Sequence, residues 1–326
     1  MANVPLKMLA YSHDHLYPLV CGDIVPEGIT LQFDRTAPLS ALFQDPSFQA
    51  GETSLGLYML RTSQGDRDWI GLPIFPMRQF RHRCFLVRRG SPLYDLRNLE
   101  ELQGKRVGLD GWPNSGNTWT RVLLREAGVD IWKISWVIAP VEGPAPAPRS
   151  DVPPLDLPAN VSIGPTGRSL VDLLLEGQID VLVTAFLPGG FFEPDSPLVH
   201  MIADYRAVER AYYQRVGYCP AHHLLAIRRD VAERDPWIAR SLLDAFEASK
   251  RVWREQRRKL QDTSPWLLVD LEESATLFEG DWNPYGLEAN LKMLDDFCQD
   301  QFAQRLVPAP VDPTAAFADF TRLMQQ

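Results

Sequence analysis

The sequence predicts an α/β protein, on two local patterns and on chain length. Residues 105–109 read as a buried strand that runs through a polar, Gly-containing loop into a helix at about 115–127. A helix at 169–176 followed by a strand at 179–183 repeats the arrangement. With 326 residues the chain is long enough for about two domains of roughly 150 residues, each able to bury a core without disulfides or metals. Hydrophobic residues make up 45% and charged residues 23%, which excludes a disordered or fibrous chain. Lys plus Arg total 33 against 42 Asp plus Glu, a net charge of -9 that argues against nucleic acid or an anionic membrane as partner. No apolar run approaches the roughly 18 residues of a membrane helix.

The elements follow in order. Residues 4–11 read as the first strand and 29–33 as the second, after a turn at 26–28. A short helix is expected at 40–48 and another at 54–62, opened by Ser54 as a cap. Apolar, β-rich runs occupy 69–75 and 84–87. Residues 140–165 are rich in proline, and composition alone reads them as a stiff interdomain linker. A long helix is expected from about 236 to 262, with Ile238, Leu242, Phe246 and Val252 near one face, then helices at 287–302 and 314–324. The amino-terminal stretch has no apolar core of a secretory signal, so a cytoplasmic location is expected. Cys21, Cys84, Cys219 and Cys298 are dispersed without metal spacing and are expected as free thiols.

Three constellations can carry chemistry. Residues 75–90 hold Arg78, Arg81, His82, Arg83, Arg88 and Arg89 and no acid. Arginine forks bind carboxylates or phosphates, although a solvated basic edge also explains Arg83, Arg88 and Arg89. On a strand, Arg81 and Arg83 would share a face opposite His82. At 108–121, Ser115, Gly116, Asn117 and Thr118 open a helix and offer N–H groups and hydroxyls to an anion, or simply cap the helix. No P-loop and no GxGxxG pattern accompanies them. His13 and His15 flank Asp14 after the first strand, and His222 and His223 open a later one. Such histidines can ligate a divalent metal, with His13, His15 and His223 as the set, or act as general acids at a strand end. His200 reads as a surface residue, and the cations between 250 and 259 as a solvated helix face. Tyr205, Tyr212, Tyr213 and Tyr218 line an aromatic pocket or pack internally.

Several stretches carry a resemblance: PEGITL (26–31), TSLGLYML (53–60) with PIFPMRQFRH (73–82), LQGKRVGL (102–109), DYRAVERAYYQRVGYCPAHHLLAIRRD (204–230) and GDWNPYGLEANLKMLDDF (280–297). Together they make the chain similar, over nearly its whole length, to the 4,5-dihydroxyphthalate decarboxylase family, a cytoplasmic branch of the type II periplasmic-binding-protein fold. The resemblance implies two α/β lobes with a ligand cleft between them and a chain that crosses twice. Lobe one would comprise 1–103 with 219–326, and lobe two 104–218, with the prolines an excursion inside lobe two. It implies a carboxy-lyase that protonates a ring carbon of a hydroxylated aromatic carboxylate and releases CO2 without a cofactor, a divalent metal being the alternative.

On this reading Arg78, Arg81 and Arg121 clamp carboxylates, His82 or His223 donates the proton, and Asp14 orients the donor. Ser115, Gly116, Asn117 and Thr118 cap an anionic group, and Ser54 and Tyr218 join the substrate site. Glu142 and Arg149 fall in a segment where the family carries a Glu and an Arg. The loop at 110–118, Met77, Arg83 and the stretch at 184–190 depart from the family pattern at ligand-facing places, which points to a different aromatic acid. A homo-oligomer is compatible with the sequence. The alternatives are a solute-binding protein that captures an organic anion without chemistry, and an enzyme like the chorismate-processing dehydratase of menaquinone synthesis.

Overall fold

Strand pairing divides the chain into two sheets. The computed structural model describes residues 3–96, 98–144, 155–259 and 264–326. Numbered in chain order, its strands are β1 (Val4–Leu9), β2 (Ile29–Asp34), β3 (Ala50–Ser54), β4 (Trp69–Leu72), β5 (Phe85–Arg88) and β6 (Arg106–Leu109). The remainder are β7 (Ser135–Ile138), β8 (Val161–Ile163), β9 (Val181–Val183), β10 (Leu198–His200) and β11 (His223–Arg228). The first sheet has the order β2-β1-β3-β11-β4 and the second β10-β5-β9-β6-β7-β8. In the first, β1 runs parallel to β2 and β3, and β11 inserts antiparallel between β3 and β4. In the second, β6 runs parallel to β7 and β9, and β5 is antiparallel to β9.

Two expectations change here. Strand β5 pairs in the second sheet, so the chain passes between sheets after Leu72 and before Phe85, upstream of position 103. It returns between His200 and His223. The proline-rich stretch is no linker: β7 precedes it, and β8 near its end pairs parallel with β7 in the same sheet. Arg149 lies outside the described residues.

Local chemistry explains the helices. Ser54 accepts a hydrogen bond from the Leu57 amide and caps Leu55–Ser63, as its position before an apolar run predicts. Asn114 caps Ser115–Glu126 through the Asn117 amide. Ser169 and Asp172 form a reciprocal capping box on Leu170–Leu175. Helix Tyr205–Val216 was not foreseen, because it buries only Tyr212 and Val216 and so lacks a full apolar stripe. The helix expected at 40–48 contracts to a 3₁₀ turn at Leu39–Phe43, and that at 314–324 breaks into two short pieces. Around His82–Cys84 the chain makes a 3₁₀ turn, so the strand alternation argued for Arg81, His82 and Arg83 does not apply.

The seam between the sheets is filled. Leu55, Tyr58, Met59, Phe75, Trp119, Val122 and Phe297 form one apolar cluster joining helix Ser115–Glu126 to helices Leu55–Ser63 and Leu291–Ala303. The Trp119 indole donates to the Ala221 carbonyl at 2.8 Å. The Ser54 and Ser115 hydroxyls meet at 2.7 Å, and the Gly56 amide donates to Ser115 Oγ at 2.8 Å.

In β3, a Cβ added at Gly51 would stand 2.7 Å from the Leu9 carbonyl oxygen and 2.7 Å from Leu42 Cδ1. The oxygen belongs to a paired strand and cannot withdraw. Gly51→Ala is expected to destabilise the fold by about 1–3 kcal/mol, measured as a lower urea midpoint with unchanged slope.

Candidate active site

The site forms where the carboxyl ends of β1 and β3 meet the amino end of β11, the usual position for ligands in open α/β sheets. Strand β3 is central, and its side chains are buried on both faces. One of them is Glu52, fully enclosed. A buried carboxylate is tolerated only with partners for its lone pairs. Glu52 has three: His13 Nε2 lies 2.9 Å and His223 Nδ1 2.5 Å from Oε1, and the Tyr11 amide donates to Oε2 at 2.9 Å. Burial pushes the Glu52 carboxyl up, but the hydrogen bonds and charges of His13 and His223 outweigh it and hold the group well below the carboxylate range.

Glu52 is therefore ionised and can only accept, which fixes both imidazoles. His13 must carry its proton on Nε2 and His223 on Nδ1, each directed at Glu52. The working atoms are then His13 Nδ1 and His223 Nε2, acceptors on a neutral ring and donors on a protonated one. The side chains keep 17% and 18% of their surface, so both are within reach of solvent or ligand. The Tyr11 ring stands 6.3 Å from His13 and 6.0 Å from His223, flanking the pair.

His15 is held apart from this work. Its Nε2 lies 3.1 Å from the Tyr285 hydroxyl, and burial lowers its pKa despite Asp14 nearby. Among the described residues no group of three His, Cys, Asp or Glu side chains is arranged to hold a metal. His13 and His223 each commit one nitrogen to Glu52, and His15 turns to Tyr285, so the three do not form a ligand set.

Other expected site residues are engaged elsewhere. Asp14 is mostly exposed and accepts from the His15 amide; Glu52, and not Asp14, orients His223. Arg78 is half-buried, donating to the Asn283 and Asn290 side chains and to the Cys219 and Pro284 carbonyls. It ties three segments together, with Nε and both Nη atoms already committed. Arg121 is also fully buried, bonded to Gln304 and the Trp112 carbonyl and laid against the Trp112 ring, and burial lowers it to about 9. Tyr218 donates to Asp296 at 2.7 Å and packs near Trp119. Glu142 accepts from the Gly189 amide at 3.0 Å within the second sheet's loops.

His82 packs against Tyr212, 5.3 Å between ring centroids, and has no contact with Glu52. Burial and the charge of Arg215 lower it to about 4, so it is neutral at pH 7 and is a poor proton donor. Lys250 departs from the expected solvated face: it is buried and bonded to Asp281 and the Asn283 carbonyl.

The helix at 115 is only partly self-capped. Asn117 bonds to Asp110 and Gly111, Thr118 to Asn114, and Ser115 Oγ to Ser54 and Gly56. Arg81 remains. Its guanidinium lies flat on Gly116, where a Cβ would stand 3.0 Å from Cζ and Nη1. Nε donates to Thr120 Oγ1 at 3.2 Å, while Nη1 is buried without a partner. A buried cation thus lies on the positive end of a helix with no carboxylate, the electrostatic complement of an anion. Ser54 and Glu52, two apart on β3, share a face, and His223 is the β11 partner of Ser54. Arg81 is thus linked to His223 through Gly116, Ser115 and Ser54.

Fold and site together define a two-lobed α/β architecture with a His–Glu–His cluster at its strand ends. Along 97% of its length the chain is 29% identical to a 4,5-dihydroxyphthalate decarboxylase of Comamonas testosteroni, covering 97% of that protein. A 4,5-dihydroxyphthalate decarboxylase of Pseudomonas putida is 25% identical over 67% of this chain and 84% of its own. The family resemblance seen in the sequence thus extends across the whole molecule. No family model matches the chain. Among solved structures, the periplasmic aliphatic sulphonate binding protein SsuA of Escherichia coli aligns with a TM-score of 0.56 at 13% identity, over 98% of this chain and 92% of that one. The alkanesulfonate-binding protein SsuA of Xanthomonas axonopodis pv. citri aligns at 0.55 and 14% identity, over 97% and 98%. These establish the periplasmic-binding-protein-like fold.

Sequence reasoning missed Glu52 and singled out His13 as a metal ligand and not as the proton donor. The available signal was a lone acid between Gly51 and Thr53, just before the apolar run that starts at Leu55. Two stability measurements follow. Arg78→Met leaves buried carbonyl and amide oxygens unpaired and should cost about 2–4 kcal/mol in urea unfolding. Because folded His82 titrates at about 4 and the unfolded side chain at 6.5, the unfolded chain takes up a proton first as pH falls. Stability should decline from pH 6.5 towards 4, by at most about 1.4 kcal/mol per pH unit for this group, and His82→Asn should flatten that slope.

Proposed function

We propose that the protein is a carboxy-lyase that decarboxylates a hydroxylated aromatic carboxylate, with His13 and His223 as its acid–base pair. The observation that carries this reading is the pair of imidazoles fixed by one ionised Glu52, each with its outer nitrogen left for a substrate. The full-length relative named 4,5-dihydroxyphthalate decarboxylase supports the same chemistry.

The chemistry follows from the tautomers. A ring hydroxyl ortho or para to the carboxylate releases its proton to one imidazole, and its electron pair flows into the ring. The carbon bearing the carboxylate takes a proton from the other, protonated imidazole. The C–C bond then breaks, CO2 departs, and the bond pair restores the aromatic ring. One imidazole gains a proton and its partner loses one, and exchange with solvent resets both. Glu52 stabilises whichever ring is charged. No external electron acceptor is needed, which supports a cofactor-independent reaction. Arg81, on the N-terminus of the helix at Ser115, anchors a carboxylate beside the imidazoles. The four unpaired cysteines suit a reducing compartment and support a cytoplasmic location.

Incubation with 4,5-dihydroxyphthalate and a panel of hydroxybenzoates should release CO2 from at least one. Binding without CO2 release from any would favour simple capture of an organic anion. His13→Gln and His223→Gln should each lower kcat by about 10²–10⁴. Arg81→Met should mainly raise KM. If both histidine variants retain the full rate, the assignment fails.

A further inference from the structure

His15 is held apart from Glu52, yet it is fixed on several sides. Its amide donates to Asp14 Oδ1 at 2.8 Å, and Ser249, on helix Ile238–Arg257, donates from Oγ to its carbonyl at 2.8 Å. Its Nε2 meets the Tyr285 hydroxyl at 3.1 Å. Its ring lies 5.8 Å from the His13 ring, with the planes 30° apart. Both histidines belong to one short turn: His13 precedes the 3₁₀ helix Asp14–Leu16, and its carbonyl accepts from the Leu16 amide. A displacement of His15 therefore reaches His13 through the ring contact and through the backbone.

Tyr285 is itself firmly set. It is buried, with the Lys250 ammonium 4.0 Å from its ring centre. Arg78 donates to the Pro284 carbonyl before it, and the Gly286 amide after it donates to the Pro73 carbonyl, each at 2.8 Å. The charges around His15 are Asp14 and His13 on its own turn and Lys250 on the helix packed against it, while Arg257 acts on Asp14. Burial leads in lowering the His15 pKa, and His13 and Lys250 add to it against Asp14. His15 is thus neutral at pH 7. With its proton on Nδ1, on the Asp14 side, its Nε2 accepts from the tyrosine hydroxyl. Neutrality matters to the neighbouring ring, because a second cation 5.8 Å away would oppose a proton on His13.

We propose that Tyr285 and His15 are positioning residues for the strand-end site: the tyrosine hydroxyl locks the His15 ring, and the locked ring holds His13 with Nε2 on Glu52. The role rests on the reading of His13 and His223 as an acid–base pair, and it makes the two members unequal. His223 stands on β11, whose register with β3 already places it beside Glu52. His13 lies on the turn after β1 and depends on this second support.

Two substitutions test the link. Tyr285→Phe removes only the hydroxyl, and His15→Phe keeps a ring beside His13 but removes its nitrogens. Each should lower kcat by about three- to tenfold with KM little changed, and the double variant should lose no more than either alone, because both break the same hydrogen bond. NMR of isotope-labelled histidine in the intact protein, at a pH where the rings are neutral, reads the positioning without turnover. His13 should hold its proton on Nε2 in the native protein and divide it between both nitrogens in either variant, while His223 keeps its proton on Nδ1. Additive losses in kcat, a His13 tautomer that is the same in the native protein and both variants, or an equal change at His223 would each overturn the proposal. The expected tautomer change in a protein that releases CO2 from no substrate would uphold the positioning role and overturn the decarboxylase reading alone.

Discussion

The placement of one carboxylate in the middle of a buried strand governs the architecture of the strand-end site. Glu52 sits where β1, β3 and β11 come together, and water cannot reach it. Its charge survives only because the loop beyond β1 turns the Tyr11 amide and His13 inward and His223 converges on it from β11. The insertion of β11 beside β3 is thus an electrostatic requirement as much as a matter of sheet topology. Without it, one of the three partners of a buried anion would be missing, and breaking such an arrangement costs several kcal/mol.

This constraint also explains the division of labour among basic groups. Arg78 and Arg121 are enclosed by carbonyls, amides and an aromatic face, and they hold segments together. Arg81 differs because the neighbouring residue is Gly116: the absence of a side chain lets a flat cation lie on a helix terminus that repels it. An anion relieves both charges. Sequence clustering of arginines therefore conceals two environments: Arg78 meets four acceptors from other segments, and Arg81 meets one hydroxyl.

Much of the fold was legible. Strand–loop–helix order, the Ser54 cap and the two-lobed arrangement followed from periodicity, capping chemistry and resemblance. The boundary near 103 did not, because β5 is a short apolar run whose pairing with β9 depends on a non-local partner. The linker reading failed because proline content is local, whereas β8 joins the sheet through β7. At the site, His223 was recognisable from its place at a strand start. Glu52 was not legible because a solitary acid between Gly51 and Thr53 forms no cluster, and its partners come from distant segments. His82 misled for the same reason: it sits within the arginine-rich run but turns towards Tyr212.

The apolar seam built around Trp119, Phe297 and the Ser54–Ser115 contact gives the molecule a fixed aperture. In binding proteins that trap solutes by hinge closure, the two halves separate and meet again in each cycle. Here the element carrying the anion anchor is packed into the core of the opposite half, so opening would expose tryptophan and phenylalanine to water. The entropy of bringing Arg81 and the imidazoles into register is lost once, during folding. By that one act of packing the two sheets become a single body, in which Arg81 and the paired imidazoles keep their separation.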